Sequence, residues 1–252
     1  GDHRDLHLSL RRQRQMCIRD SYNIYDRQVA NEAVEWLATN GKQKKPWVLF
    51  VSMVAPHFPL IAPQEFYDLY DTLDLMPSKP RESPEHPWHH AMRNCQIMDN
   101  FTSERTRVAL ASYYGLVTFI DNLIGKILGA VEQNGLGENT QIFYLSDHGD
   151  NIGERDFWGK SNFYEESVGI PCILKGPGIP AGKTLKTPVS LIDVYPTILK
   201  TAGITPEAKP GTSLVDLANA LDDFERLVFS EYHAVGSATG AFMIRKGQWK
   251  LI

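Results

Sequence analysis

Cysteine is scarce: only Cys17, Cys95 and Cys172 occur in 252 residues, and no two of them form a CxxC pair. This excludes a disulfide framework and a thiolate zinc site, and it leaves the redox compartment open. No uninterrupted apolar run approaches the roughly 20 residues that cross a bilayer, so no membrane span is expected. A large excess of one charge sign is missing too. The 26 Lys and Arg against 30 Asp and Glu give a net charge of -4, with no electrostatic footprint for nucleic acid or an anionic membrane. No internal repeat or low-complexity tract occurs. Residues 1–21 cluster Arg11, Arg12, Arg14 and Arg19 without the apolar core of a secretory signal. They also lack any sustained strand or helix period, and read as a disordered or unrelated leader. The other end, Gly247 to Ile252, breaks off within a strand-like pattern, and a fragment of a longer chain is expected.

What is there is ordinary globular material, 42% hydrophobic and 22% charged. Asp26 stands where it can cap a helix carrying Val29, Ala33, Val34 and Leu37, with Gly41 just past its end. The continuous apolar run Trp47–Val54 predicts a strand buried on both faces, stopping at Ala55-Pro56-His57-Phe58-Pro59. Met76 to Trp88, rich in proline and charge, reads as a surface loop or lid. Ser103 to Gln133 predicts a long amphipathic helix closed by Asn134-Gly135. Further strands are expected at 140–145, at 170–174 with Pro171 at its start, at 226–231 and at 241–252, with a short helix over 191–199. Strands alternating with helices imply an α/β fold with a mostly parallel central sheet flanked by helices. Residues 22–225 form its main domain and 226–252 begin a small C-terminal α+β part. Such sheets bind ligands beyond the carboxyl ends of their strands, which is where His57 and the Asp147-His148-Gly149-Asp150 turn fall.

Asp147 and His148 can offer an oxygen and an imidazole to one metal ion, while Gly149 lets the backbone turn away. A plain strand-to-loop turn, with Asp147 capping and His148 packing, accounts for the same three residues. Two ligands do not fill a hard cation's shell, so others must come from elsewhere. Lys160, on a glycine-bearing loop after two aromatic residues, can meet an anionic substrate as a compact charge, or simply be a solvated lysine. His57, between two prolines, can donate to developing negative charge or pack in its loop. His86, His89 and His90 read as solvated or lid surface rather than as a metal site.

These residues sit within segments that resemble the sulfatases of the alkaline-phosphatase superfamily, in particular the choline-sulfatase and arylsulfatase-like branch. The segments are VLFVSMVAPHFPLIAP, TFIDNLIGKIL, SDHGDNIGERDFWGKSNFYEES, GIPCILKGPGIPAG, TPVSLIDVYPTILKTAG and FSEYHAVGSATGAFMIRKGQWKLI, spread over residues 22–252. The resemblance implies metal-assisted hydrolysis of a small-molecule or saccharide sulfate ester. Within it, His57 contacts the sulfate or its leaving oxygen, Lys160 binds the sulfate, and Asp147 with His148 ligates a divalent metal, usually calcium. His233 is implied near the substrate pocket as a specificity residue, or else a strand-end turn histidine. The family nucleophile is a formylglycine made from a Cys/Ser-x-Pro/Ala-x-Arg segment, and no such segment occurs here. A truncated sulfatase is therefore expected, with a phosphate or phosphonate ester hydrolase of the same superfamily, or a catalytically inactive truncated chain, as the alternatives.

Overall fold

Residues 21–71, 73–95, 102–205, 210–233, 237 and 239–252 are described in a computed structural model; the leader read at 1–21 lies outside them, apart from Ser21. The helices are α1 (Ser21–Asn40), α2 (Gln64–Tyr67), α3 (Pro87–Asn94), α4 (Ser103–Gln133), α5 (Glu165–Val168), α6 (Val194–Thr201) and α7 (Leu214–Asn219). The strands are β1 (Ile142–Leu145), β2 (Cys172–Lys175), β3 (Leu227–Tyr232), β4 (Ala241–Lys246) and β5 (Trp249–Leu251).

The 31-residue α4 starts where Thr102 Oγ1 accepts from Arg105 N at 3.3 Å and ends at the Asn134-Gly135 turn, as its sequence predicts. It is long and apolar enough to cross a membrane by length and composition. In the fold it is the central core helix, packed along α1, with Phe119 and Leu123 fully buried against Ala30 and Ala62. Small residues let these elements close up: a Cβ at Gly115 would stand 2.9 Å from that of Ala62. A second cluster, Leu37, Ala130, Val131 and Leu136, continues the core toward the other end of the two helices.

Asp26 does not cap α1, which runs from Ser21. It lies inside the helix, fully buried, and its carboxylate accepts from Val54 N at 2.7 Å and Ala55 N at 2.9 Å. A buried carboxylate needs such donors, and the end of the extended segment has two amides to satisfy. Asp26 thus pins the chain immediately before His57. The run 47–54 is extended but pairs as no strand among the described residues, and only one face is covered. Trp47 and Leu49 pack on the second cluster, whereas Val48 is 63% and Phe50 86% exposed.

The α/β class stands, but the expected parallel ladder does not form among the described residues. β1 pairs antiparallel with β2, Phe143 opposite Leu174, and β3-β4-β5 is an antiparallel sheet. The connection 146–171 is the reason for the first pairing. It carries no crossover helix, only the one-turn α5 and a short 3-10 turn at Glu154–Asp156, and its length goes into a looped excursion that bears Asp147, His148 and Lys160. The β3–β5 sheet lies against that excursion through the cluster of Phe163, Ala241 and Met243, flanked by Trp88 and Tyr232. Asp193, fully buried between α6 and β3, takes bonds from Ser190 N, Thr212 N and the Arg226 guanidinium.

The segment 76–95 is no loose lid. Glu154 accepts from the backbone amides of Ser78 and Lys79, Arg155 N donates to Lys79 O at 2.9 Å, and Lys79 pairs with Glu166. His86 caps α3 by accepting from Trp88 N. His86 and His90 are exposed as expected. His89 is instead buried, its Nδ1 2.9 Å from the Tyr164 hydroxyl and its ring against Phe157. Burial pushes its pKa below the ordinary histidine value, with the nearby Glu82 opposing.

Candidate active site

Two loops meet at the site: the Pro-rich turn that follows 47–54 and the excursion after β1. Ala55–Pro56 and Phe58–Pro59 are both cis, and His57 projects between them. Its Nδ1 lies 2.8 Å from Phe58 O. Because a carbonyl only accepts, Nδ1 carries the proton, and the lone pair of Nε2 faces outward. There it accepts from the Lys160 ammonium at 2.8 Å, bridging 103 positions of sequence.

His148 repeats the arrangement. Its Nδ1 lies 2.8 Å from Gly149 O, which fixes a proton on that nitrogen, and its Nε2 lies 3.6 Å from Asp147 Oδ2. The two histidine rings are 5.8 Å apart. Asp147 is bent back on its own turn, accepting from His148 N at 2.9 Å, and its side chain is 83% exposed. Gly149 is required by close approach: its amide donates to Ser167 O, and an added Cβ would lie 2.1 Å from Glu166 O. His57, Lys160, Asp147 and His148 are therefore brought together.

The donors fit a divalent ion in kind. A carboxylate and an imidazole whose other nitrogen is fixed by a carbonyl are metal ligands of the ordinary sort, and that carbonyl is the expected outer partner. No group of three or more His, Cys, Asp or Glu side chains suited to a metal occurs among the described residues, so Asp147 and His148 alone would not complete the shell of a hard cation.

Lys160 is carried by a loop under tension. Ile152, Arg155, Asp156 and Ser161 all have positive φ (42°, 53°, 57° and 85°), a region that side chains with a Cβ adopt only at some cost. Asp150 Oδ1 gathers the loop's base by accepting from Ile152 N and Gly159 N, at 2.8 and 2.9 Å. The fully buried Asn151 donates to Gly159 O through both its backbone and its side chain. From α4, Tyr113 faces the same loop. Burial, and then the Asp150 carboxylate, push its phenol up to about 12, so it stays neutral.

His233 is not brought to this group by the contacts observed. It pairs with Glu231 at 3.0 Å and packs on Phe242, on the exposed side of β3. Strand alternation turns its neighbour inward instead, and the Tyr232 hydroxyl donates to Ser161 Oγ at 2.9 Å, beside Lys160. Sequence reading passes over Tyr232, although the parity of a strand ending at residue 232 contains that signal. Asp150 is visible in sequence as a polar strand-end residue, but its partners are backbone amides that no spacing rule reveals.

The α/β chain thus gathers a lysine, two histidines and an aspartate in the loops that follow its extended segments. The sulfatase family model matches residues 5–204. Similar proteins include a choline-sulfatase of Rhizobium meliloti, 33% identical over 90% of this chain and 47% of its own length, and human arylsulfatase K, 30% identical over 90% and 47%. Among solved structures, a phosphonate monoester hydrolase of Silicibacter pomeroyi superposes with a TM-score of 0.75 at 26% identity, covering 88% of this chain and 50% of that one. A sulfatase-like protein of Bacteroides fragilis does so with 0.71 at 26% identity, covering 89% and 48%. The chain belongs to the sulfatase family of the alkaline-phosphatase superfamily, and it spans about half the length of these relatives.

Proposed function

We propose that this chain supplies the sulfate-clamping residues of a sulfate-ester hydrolase, acting on a small-molecule or saccharide sulfate. The observation that carries this is the contact between Lys160 Nζ and His57 Nε2 beside Asp147 and His148. A sulfate monoester brings a negative tetrahedral group, and S–O cleavage builds charge on the leaving oxygen. The Lys160 ammonium, now satisfied by an imidazole, turns to a non-bridging sulfate oxygen, a stronger acceptor for a charged donor. His57, released from Lys160, takes a proton from solvent at Nε2 and passes it to the leaving oxygen as the S–O bond breaks, while Phe58 O holds its ring orientation. Asp147 and His148 hold the divalent cation, calcium in this reading, together with oxygen donors beyond these two; when bound it supplies positive charge against the sulfate oxygens. The 252 residues contain no Cys/Ser-x-Pro/Ala-x-Arg segment, so the formylglycine nucleophile this reading requires lies outside them.

A second reading, hydrolysis of a phosphonate or phosphate ester, is favoured by the likeness to the phosphonate monoester hydrolase. Sulfate and phosphate share the tetrahedral shape and the need for a cationic clamp. Calorimetric titration with sulfate, phosphate and chloride, with and without calcium, separates the readings. Sulfate binding that calcium strengthens, and that Asp147→Asn deprives of the calcium effect, supports the first. Phosphate binding more than about tenfold tighter than sulfate supports the second. Oxyanion binding no better than chloride overturns both.

A further inference from the structure

We propose that Arg93, on α3 and far from the reacting groups in sequence, is a positioning residue for Lys160. The inference rests on the role given to Lys160 above. The Arg93 Nη1 group donates to the carbonyls of Arg155 and Asp156, at 2.5 and 2.9 Å. Those are consecutive left-handed residues, φ 53° and 57°, and one Nη1 group serves both of their carbonyls. The guanidinium lies 4.0 Å over the ring of Phe157, the next residue and itself fully buried. Its remaining donors, Nε and Nη2, go to Glu85 at 3.0 and 2.6 Å, and Arg81 holds the other Glu85 oxygen. One planar fork thus joins a fixed carboxylate to two strained carbonyls and an aromatic face, a combination that no ammonium can reproduce.

The consequence reaches Lys160 through the chain. Phe157 O receives Gly153 N at 2.8 Å and Gly159 O receives Asn151 N at 2.7 Å, so the loop folds back on itself around the pair Arg93 holds. Lys160 follows at once. Release of residues 155 and 156 to ordinary φ would swing the lysine away from His57 Nε2.

The test uses the whole 252-residue chain as Arg93→Met, which keeps the apolar stem, and as Arg93→Lys, which keeps the charge. Hydrogen exchange resolved by residue is expected to show Asn151, Gly153, Phe157 and Gly159 amides exchanging about tenfold faster in Arg93→Met, with α4 unchanged. Sulfate affinity is expected to fall by about tenfold in the same variant, and by less in Arg93→Lys. Wild-type exchange in the loop overturns the proposal, and so does faster loop exchange with unaltered sulfate affinity. If both variants lose protection throughout α4 as well, Arg93 holds the whole fold and the proposal is equally overturned. Failure of the unsubstituted chain to bind sulfate counts against the function proposed for Lys160, and the exchange result then decides the claim about Arg93.

Discussion

The ammonium of Lys160 donates to Nε2 of His57 across 2.8 Å, and the far side of that imidazole is tied to the Phe58 carbonyl. Each group is therefore held by the protein itself, and in the proposed clamp an incoming oxyanion would take over a hydrogen bond already formed. Preorganisation of this kind spares the reorganisation that solvated charges would need.

Lys160→Met tests that arrangement. A charge-assisted hydrogen bond contributes about 1.5–3 kcal/mol, so sulfate affinity should drop by about ten- to a hundredfold. Thermal stability should change little, because Lys160 is partly exposed and fills no core position. Calorimetry together with a melting curve checks both expectations.

Asp26→Ala should be strongly destabilising although it lies far from the reacting atoms in sequence. Removing the fully buried carboxylate leaves the partly buried Val54 and Ala55 amides without their acceptor. The expected loss is about 2–4 kcal/mol in denaturant unfolding. Asp26→Asn, which keeps one acceptor oxygen, should lose less.

Asp156→Gly should stabilise the chain. Residue 156 has φ 57° and an exposed side chain, so glycine removes the left-handed penalty without giving up a buried contact. A gain of about 0.5–1 kcal/mol is expected from chemical denaturation, the lower figure because aspartate tolerates this region better than most residues.

Acid should loosen the segment 76–95 in two stages. Burial raises the Glu85 carboxyl, but bonds and charge from Arg93 and Arg81 outweigh it and hold the group at about 2; Glu166 is held at about 2 against burial by Lys79, its own backbone amide and Arg155. Both folded values lie below the ordinary 4.5, so this stabilisation is complete above 4.5 and disappears as pH falls toward 2. His89 is also depressed, by burial, from 6.5. The unfolded chain takes up that proton first, and stability begins to fall as pH drops through 6.5. Melting temperatures from about pH 7 to about pH 2 should decline in both windows, with Glu85→Gln flattening the lower one.

Much of the site is legible in the sequence because its residues stand at the ends of apolar runs. His57 closes one run, Asp147 and His148 another, and Lys160 lies on the glycine-bearing loop that follows. The supports are hidden for a common reason: they bind backbone. Asp26 satisfies two amides of a segment near residue 54, and Arg93 two carbonyls near 155, and backbone atoms carry no residue-type signal. His89 looks like lid surface because its burying partners, Phe157 and Tyr164, come from a loop about 70 positions later. The parallel sheet is expected because strands and helices alternate, a pattern that does not reveal that the stretch between β1 and β2 holds a site loop instead of a crossover helix. The run 47–54 misleads similarly: its hydrophobicity is continuous, yet helices cover only one side.

Titration of the isotope-labelled chain with sulfate, followed at the ring nitrogens of His57 and the amides of Gly159, Lys160 and Ser161, examines the proposed clamp where it acts. The structure predicts saturable shifts at His57 Nε2 and at all three amides, larger than those at α4, and their loss in Lys160→Met. Shifts that are absent, or that persist undiminished in Lys160→Met, would contradict it.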